Sequence, residues 1–312
     1  MTPYEHRAYL ATPVSNAGDP RPLRASDPRA LAREARKEHL WMLLLLLPAL
    51  IMVVVLLILP LCWLAFQSIQ TEDGFSLANY LRIFQESIYW DTFALTFKIS
   101  VMVTALAVVM GFPIAYAASR LHGFWANLIL ICVILPFWTS VLVRAYAWLV
   151  LLQRRGLVNQ TLMDLGIIDQ PLNLMHNTTG TVIGTLHVML PFMVLPLYSV
   201  MKKIPQDLLQ ASNSLGAKPF YTFRRVFLPM AAPGVMAGSI LVFVICLGFF
   251  ITPELLGGGR TILVSMLVQR NVELYHAWGA ASAVGLVLLF VVFLIFWGIN
   301  RFIPIERILG AR

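Results

Sequence analysis

No Asp or Glu falls inside any of the six long apolar blocks of this 312-residue chain; Asp91 and Glu254 stand only at block edges. An ion-driven carrier needs a titrating or coordinating group at membrane depth, so this lack disfavours coupling to a proton or Na+ gradient. A P-loop is also missing. Gly257-Gly258-Gly259 runs into Arg260-Thr261 without the Walker A spacing or its Lys, so the chain is not expected to hydrolyse ATP in that way by itself. HExxH, CxxC and serine-elbow patterns do not occur, and His122, His176, His187 and His276 stand apart from one another. Neither a metal site nor an enzyme activity is expected. Cysteine is scarce: Cys62, Cys132 and Cys246 all lie in apolar blocks, as small hydrophobes rather than a disulfide framework. Charged residues make up only 12% of the chain.

What is abundant is hydrocarbon. The hydrophobic share of 59% exceeds the roughly 45–50% of soluble domains. It is gathered in blocks long enough to cross a bilayer, for which about 20 residues suffice. Six spans are predicted: Leu40–Phe66, Phe93–Ala118, Trp125–Leu152, Thr181–Met201 (interrupted by Pro191 and Pro196), Pro233–Thr252 and Gly279–Phe302. The fold class is therefore an all-α membrane protein, divided into a tail over residues 1–39, a six-helix domain over 40–302 and a tail over 303–312. A cleaved signal peptide is not expected, because the first apolar run comes after about 40 polar residues.

Net charge is +8, with 23 Lys and Arg against 15 Asp and Glu. The basic residues sit in alternate loops, which points to membrane orientation rather than nucleic acid. One side holds seven in the N-terminal tail, Arg120, the loop residues Lys202, Lys203, Lys218, Arg224 and Arg225, and Arg301, Arg307 and Arg312. The other side holds Arg82, Arg154, Arg155, Arg260 and Arg270. By the positive-inside tendency, both termini and the 202–233 loop are cytoplasmic.

That loop, KKIPQDLLQASNSLGAKPFYTFRRVFLPMAAP, organises the chain. Pro205 and Asp207 open a helix. Leu208, Ser212 and Leu215, with Ala211 beside them, form its narrow apolar face. Gly216 stands where a left-handed stop belongs, and Pro219 starts a second short helix. Within the spans, Lys98 lies near an outer end and Arg144 about eight residues before an outer loop. Prolines at Pro113, Pro136, Pro191, Pro196 and Pro253 are candidate breaks useful to a gate.

Gln210-Ala211-Ser212, three residues, Gly216, nine residues and Val226-Phe227-Leu228-Pro229 resemble the Glu-Ala-Ala…Gly…Ile-any-Leu-Pro loop of ATP-binding-cassette importer permeases. Gln, Ser and Val soften three positions. Stretches elsewhere, LPFWTSVLVRAYAW (135–148), GLVNQTLMDLGIIDQPLNLMH (156–176), LPFMVLPLYS (190–199) and TPELLGGG (252–259), are similar to the spermidine/putrescine branch, first-permease type. The resemblance implies a type I importer permease fold of six spans, N-in and C-in, in the bacterial inner membrane. It implies a complex with a second permease subunit, two copies of an ATPase that carries ATP and Mg, a periplasmic binding protein and surrounding lipid. It implies that Leu208, Gln210, Ala211, Ser212, Leu215 and Gly216 form the coupling helix and its elbow. Arg144, Trp148, Phe249 and Glu254 are the candidates for the translocation path. Putrescine-type permeases often carry an acid just before the TPELLGG-like stretch, where this chain has Phe249 and Phe250. A polyamine is the leading solute. A zwitterion or anion, such as an amino-acid conjugate or aminoalkylphosphonate, and an autonomous ion-coupled carrier are the alternatives.

Overall fold

The computed structural model describes residues 28–71 and 74–302. The first 27 residues of the expected tail over 1–39, the expected tail over 303–312, and Glu72 and Asp73 of the first outer loop lie outside the described residues. Residues 1–61 and 62–312 form two units.

The first unit, over its described part, is helix α1 (Pro28–Ser68) as far as Leu61. The helix starts before the predicted span, taking in the charged run LAREARKEHL, whose Ala, Leu, Arg, Glu and Lys are strong helix formers. Apolar residues ring it on all sides over Leu44–Ser68, 25 residues, long enough at about 1.5 Å per residue to cross a ~30 Å hydrocarbon layer. It runs through Pro48 and Pro60 without a break.

The second unit takes in the last turns of α1, then a two-stranded antiparallel hairpin, β1 (Gln70–Thr71) and β2 (Gly74–Phe75), and α2 (Ala78–Gln85). The hairpin and α2 fall in the outer loop, where the sequence predicts only a polar connection. Tyr80 and Asn79 of α2 bond back to Ser68, at 2.8 Å to its hydroxyl and 2.9 Å to its carbonyl. In the last turn Arg82 Nε donates to Glu86 Oε1 at 2.8 Å, and that bond holds the guanidinium pKa above its ordinary value.

Helix α3 (Ser87–Arg120) is a single 34-residue span, continuous through Pro113. The predicted third span is not one helix. Its halves, α4 (Phe124–Ile134) with a 3-10 turn at Leu135–Trp138, and α5 (Val141–Leu152) leading to α6 (Leu157–Asp164), meet at 101°. The bend has a local cause. Pro136 offers no N–H, and its carbonyl is taken by both the N–H and the hydroxyl of Thr139, which closes the turn instead of passing the ladder onward. Among the described residues, five helices are thus long and apolar enough to cross a membrane, and six if this bent pair counts as one crossing.

Helix α7 (Thr178–Lys202) is uninterrupted at Pro191 and Pro196, contrary to expectation. It is the most enclosed span, and packing on both sides outweighs two missing ladder bonds. The remaining elements are α8 (Gln206–Ser214), α9 (Pro219–Thr222), α10 (Leu228–Leu247), α11 (Ile251–Gly257), α12 (Val264–Glu273) and α13 (Trp278–Phe302). The predicted fifth span therefore ends at Leu247, and the 253–278 loop is largely helical.

The core lies between α3, α7 and α10. Ile99, Val103 and Ala107 of α3 meet Met189, Met193 and Leu197 of α7 and Val242 of α10. Met193 is the wedge. A Cβ at Gly111 of α3 would stand 2.8 Å from Met193 Cγ, and one at Gly238 of α10 would stand 2.8 Å from Met193 Sδ. Small residues let the three helices close on one thioether, as membrane packing favours.

Candidate functional site

At one end of this core, α8 and the chain just beyond it build an elbow. The helix is capped by Pro205 and carries Asp207 in its first turn, where the N-terminal dipole favours an acid. It ends in a Schellman arrangement: Gly216 N donates to Asn213 O at 2.9 Å and Ala217 N to Ser212 O at 3.2 Å. Gly216 has φ +81, a backbone state that a side chain disfavours.

The second arm of the elbow differs from expectation. It is not a separate short helix; α9, a π-helical turn at Phe223–Phe227 and α10 form one rod over Pro219–Leu247. The register change falls just before Pro229, whose missing N–H leaves the carbonyl four residues back without its usual donor. A displacement at the elbow therefore acts directly on a helix of the core.

Leu209, rather than Leu208, is the α8 residue that turns inward, at 7% exposure. Ser212 Oγ and Thr222 Oγ1 lie 2.9 Å apart, and Thr222 bonds Asn213 Oδ1 at 3.2 Å, so the two arms are clasped. The predicted apolar face is accordingly turned outward. Leu208 is 46% exposed and Leu215 88%, with Phe220 and Tyr221 also exposed. Gln210 and Ala211 are exposed beside them. Ser212, Leu215, Gly216, Ala217, Lys218 and Tyr221 line an open notch of about 460 Å3. Lys202, Lys203, Lys218, Arg224 and Arg225 surround the elbow, all exposed.

Sequence reasoning passes over Arg120. It closes α3 beneath the elbow, its guanidinium 5.3 Å from the Phe227 ring centre and 5.6 Å from that of Tyr116. Phe112, Tyr116, Phe223 and Phe227 form an aromatic cluster around it. Its one legible signal is a cation ending an apolar block on the same side as the basic loop.

The path candidates lie toward the other end, on α5 and in the break after α10. Arg144 is half-buried; Nη2 reaches Thr139 O at 3.4 Å, and Nε is buried without a hydrogen-bond partner. Four residues on, Trp148 Nε1 donates to His187 Nδ1 of α7 at 3.0 Å, which joins α5 to the core. Phe249 packs against the core, and its carbonyl accepts from Ser265 Oγ at 2.9 Å. Glu254 sits in α11, which packs on α5 and α7; the residue is half-buried and its Oε2 is buried without a partner. The structure thus brings Trp148 to His187 but pairs Arg144 with no acid among the described residues.

A second residue that reasoning from sequence misses is Asn159. Fully buried, it donates to Gln153 O and Leu172 O, both at 3.0 Å, and accepts from Leu172 N at 2.9 Å, pinning the loop between α5 and α7. A lone Asn in a polar loop carries no pattern that would reveal this.

Known proteins share this architecture. The family model described as binding-protein-dependent transport system inner membrane component matches residues 107–304. The spermidine/putrescine transport system permease protein PotB of Haemophilus influenzae is 34% identical over 234 residues, covering 71% of this chain and 80% of the relative. The Escherichia coli K12 inner membrane ABC transporter permease protein YdcU is 35% identical over 230 residues, covering 67% and 72%. Among solved structures, a bacterial alginate ABC transporter in complex with an alginate pentasaccharide-bound periplasmic protein aligns with a TM-score of 0.70 at 17% identity. It covers 86% of this chain and 95% of that one, a likeness of fold alone.

Proposed function

The chain belongs to the binding-protein-dependent transport system inner membrane component family, and on that premise we propose that it carries a polyamine, spermidine or putrescine, inward across the bacterial inner membrane. It is a multi-pass permease subunit of an ATP-driven importer, of type I fold. In the proposed assembly it pairs with a second permease and two ATPase copies, which hold the ATP and Mg, and receives its solute from a periplasmic binding protein. The elbow faces the cytoplasm, in line with the distribution of Lys and Arg.

The observation that carries the coupling reading is the outward-turned apolar face of α8 on an arm clasped to a continuous core helix. Leu208 and Leu215 are exposed where a protein partner is needed to cover them, with Gln210, Ala211 and Ser212 between them. Gly216 fixes the angle. ATPase closure moves α8, the Ser212–Thr222 clasp and Leu209 carry that motion to the 219–247 rod, and the rod shifts against α3 and α7. Transport is then a two-state equilibrium between inward- and outward-open paths, biased by the partner.

Glu254 supports the polyamine assignment, since a half-buried carboxylate with one unpartnered oxygen suits an ammonium group. Arg144, with its unpartnered Nε, favours the second reading, a zwitterionic or anionic solute. Calorimetric titration of the binding protein encoded beside this permease separates them. Micromolar or tighter binding of spermidine or putrescine upholds the proposal. Heat from an amino-acid conjugate or aminoalkylphosphonate, with none from polyamines, replaces it by the second reading.

A further inference from the structure

Five Lys or Arg occupy loops on the side away from the elbow: Arg82, Arg154, Arg155, Arg260 and Arg270. Arg82 is engaged with Glu86, the one ion pair among the described residues. Three of the other four gather at one place. Arg154 and Arg260 line an open cup of about 530 Å3 together with Asn173, Met175, His176 and Gly258. Arg270 borders it, since a Cβ on Gly259 would stand 3.9 Å from its Nη2. Arg155 is exposed beside Arg154. Asp164 and Asp169 belong to the same loop as Arg154 but form no ion pair with these guanidiniums.

The cup is a built feature. Asn159 bonds the carbonyls of Gln153 and Leu172, which fixes the wall carrying Arg154 against the wall carrying Asn173. Asn177 ties the turn at its base, donating to Asn173 O at 2.6 Å while capping α7 through Gly180 N. His176 is held at φ +55, a region that side-chain-bearing residues rarely adopt. Its ring lies so close over Gly258, itself at φ +58, that any Cβ there would collide with it. Strained backbone and a glycine contact therefore keep three separate segments in register around a surface whose lining holds no carboxylate.

We infer that this cup is the landing site for an acidic face of the solute-binding protein, whose carboxylates meet Arg154, Arg260 and Arg270. The inference rests on the importer reading and names the chemistry of one of its contacts. Charge gives the sign of the occupant: four guanidiniums without an ion-pair partner among the described residues repel a polyamine arriving alone and attract carboxylates, which they bind in a two-pronged geometry. Their spread over three segments suits a protein surface that brings several acids at once. Because Arg154, Arg155 and Arg260 are exposed and Arg270 is only half-buried, the contact acts mainly on encounter rate and orientation, and salt weakens it.

The test uses the complete importer in nanodiscs. ATP hydrolysis is measured against the concentration of solute-loaded binding protein, at about 50 and about 300 mM NaCl. Arg154→Glu combined with Arg260→Glu is expected to raise the half-maximal concentration at low salt by about tenfold or more and to flatten the salt dependence, leaving basal hydrolysis unchanged. The Lys pair at the same positions is expected to retain most of the affinity. Should charge reversal block assembly, Arg154→Ser with Arg260→Ser reads the same quantity with a smaller shift. An unchanged half-maximal concentration in an assembled variant overturns the inference while leaving the importer reading intact. A wild-type complex that the binding protein does not stimulate strikes at the importer reading itself. Equal competition by millimolar inorganic phosphate, with no salt effect on the binding protein, also overturns the inference, making the cup a small-anion site.

Discussion

At the elbow end the chain reverses through backbone devices: a left-handed glycine, a Schellman pair of hydrogen bonds, a proline start and a π turn that merges into α10. At the opposite end it reverses through side chains bonded to distant backbone. Asn159 holds Gln153 and Leu172, and Thr96 Oγ1 accepts from Val264 N at 3.0 Å across 168 residues. Ser265 likewise holds the carbonyl of Phe249. The first construction makes a stiff lever with an apolar face turned outward. The second makes a set of short helices, α6, α11 and α12, stitched together around a cationic cup. A lever suits a partner that pushes; a stitched cap suits a partner that docks and leaves.

The comparison breaks most readily at Gly216. Gly216→Pro removes the N–H bonded to Asn213 O and cannot reach φ +81. ATP-driven uptake is expected to fall by about 100-fold or more, while membrane extraction still yields the protein, because most of the core lies away from the elbow, between α3, α7 and α10. Survival of transport would mean that the lever is not the coupling element. Asn159→Ala should act at the other end by loss of stability, about 2–4 kcal/mol, since it strands two carbonyls and an N–H that the buried side chain now satisfies. Thermal unfolding in detergent reads this, and an unshifted midpoint would show that the cap is not stitched by that residue.

The core that both ends share gives a third check. Gly238→Leu is expected to cost about 1–3 kcal/mol against Met193, and Met193→Ala should recover part of it; simple additivity in that pair would contradict the wedge. Arg120→Ala should cost only about 1 kcal/mol by loss of its contacts with Tyr116 and Phe227, read from the same unfolding curves. The smallest effect belongs to the exposed Arg82–Glu86 pair, at most about 0.5 kcal/mol. With the Arg82 pKa raised by its partner, the guanidinium's contribution is present throughout the neutral range and is lost as strongly alkaline pH deprotonates it. A stability change on Arg82→Ala near pH 7 that persists at high salt would show some other role for that residue.

The same division governs how much is legible in the sequence. The spans, their termini near Lys202 and Trp278, and the Gly216 stop are carried by apolar runs and by residues with restricted backbone, which act locally and leave a pattern. Pro219 through Phe227 mislead, because the merger of a loop helix with α10 depends on a register change that spacing does not encode. The candidate proline breaks divide. Pro136 does bend the chain, by 101°, where Thr139 closes a turn on its carbonyl, while Pro113, Pro191 and Pro196 are absorbed in continuous, well-packed helices. On α8 the inward residue lies one position beyond the predicted apolar face. Leu209 turns inward, since the direction of a short helix is set by what it packs on, and Leu208 and Leu215 are left free. Thr96 acts through Val264, far away in sequence, Asn159 through the backbone of Gln153 and Leu172, and Arg120 in part through Phe227, and none of these pairings leaves a spacing pattern.

In the proposed mechanism the exposed face of α8 transmits ATP hydrolysis to the path. The direct measurement is uptake and ATP hydrolysis, side by side, in proteoliposomes holding the whole importer with Leu208→Asp and Leu215→Asp in this chain. Both side chains are exposed, so folding and insertion should be unaffected. Uptake is expected to disappear, and hydrolysis is expected no longer to respond to the loaded binding protein. Uptake at the wild-type rate, with both substitutions present and the complex assembled, would contradict this mechanism.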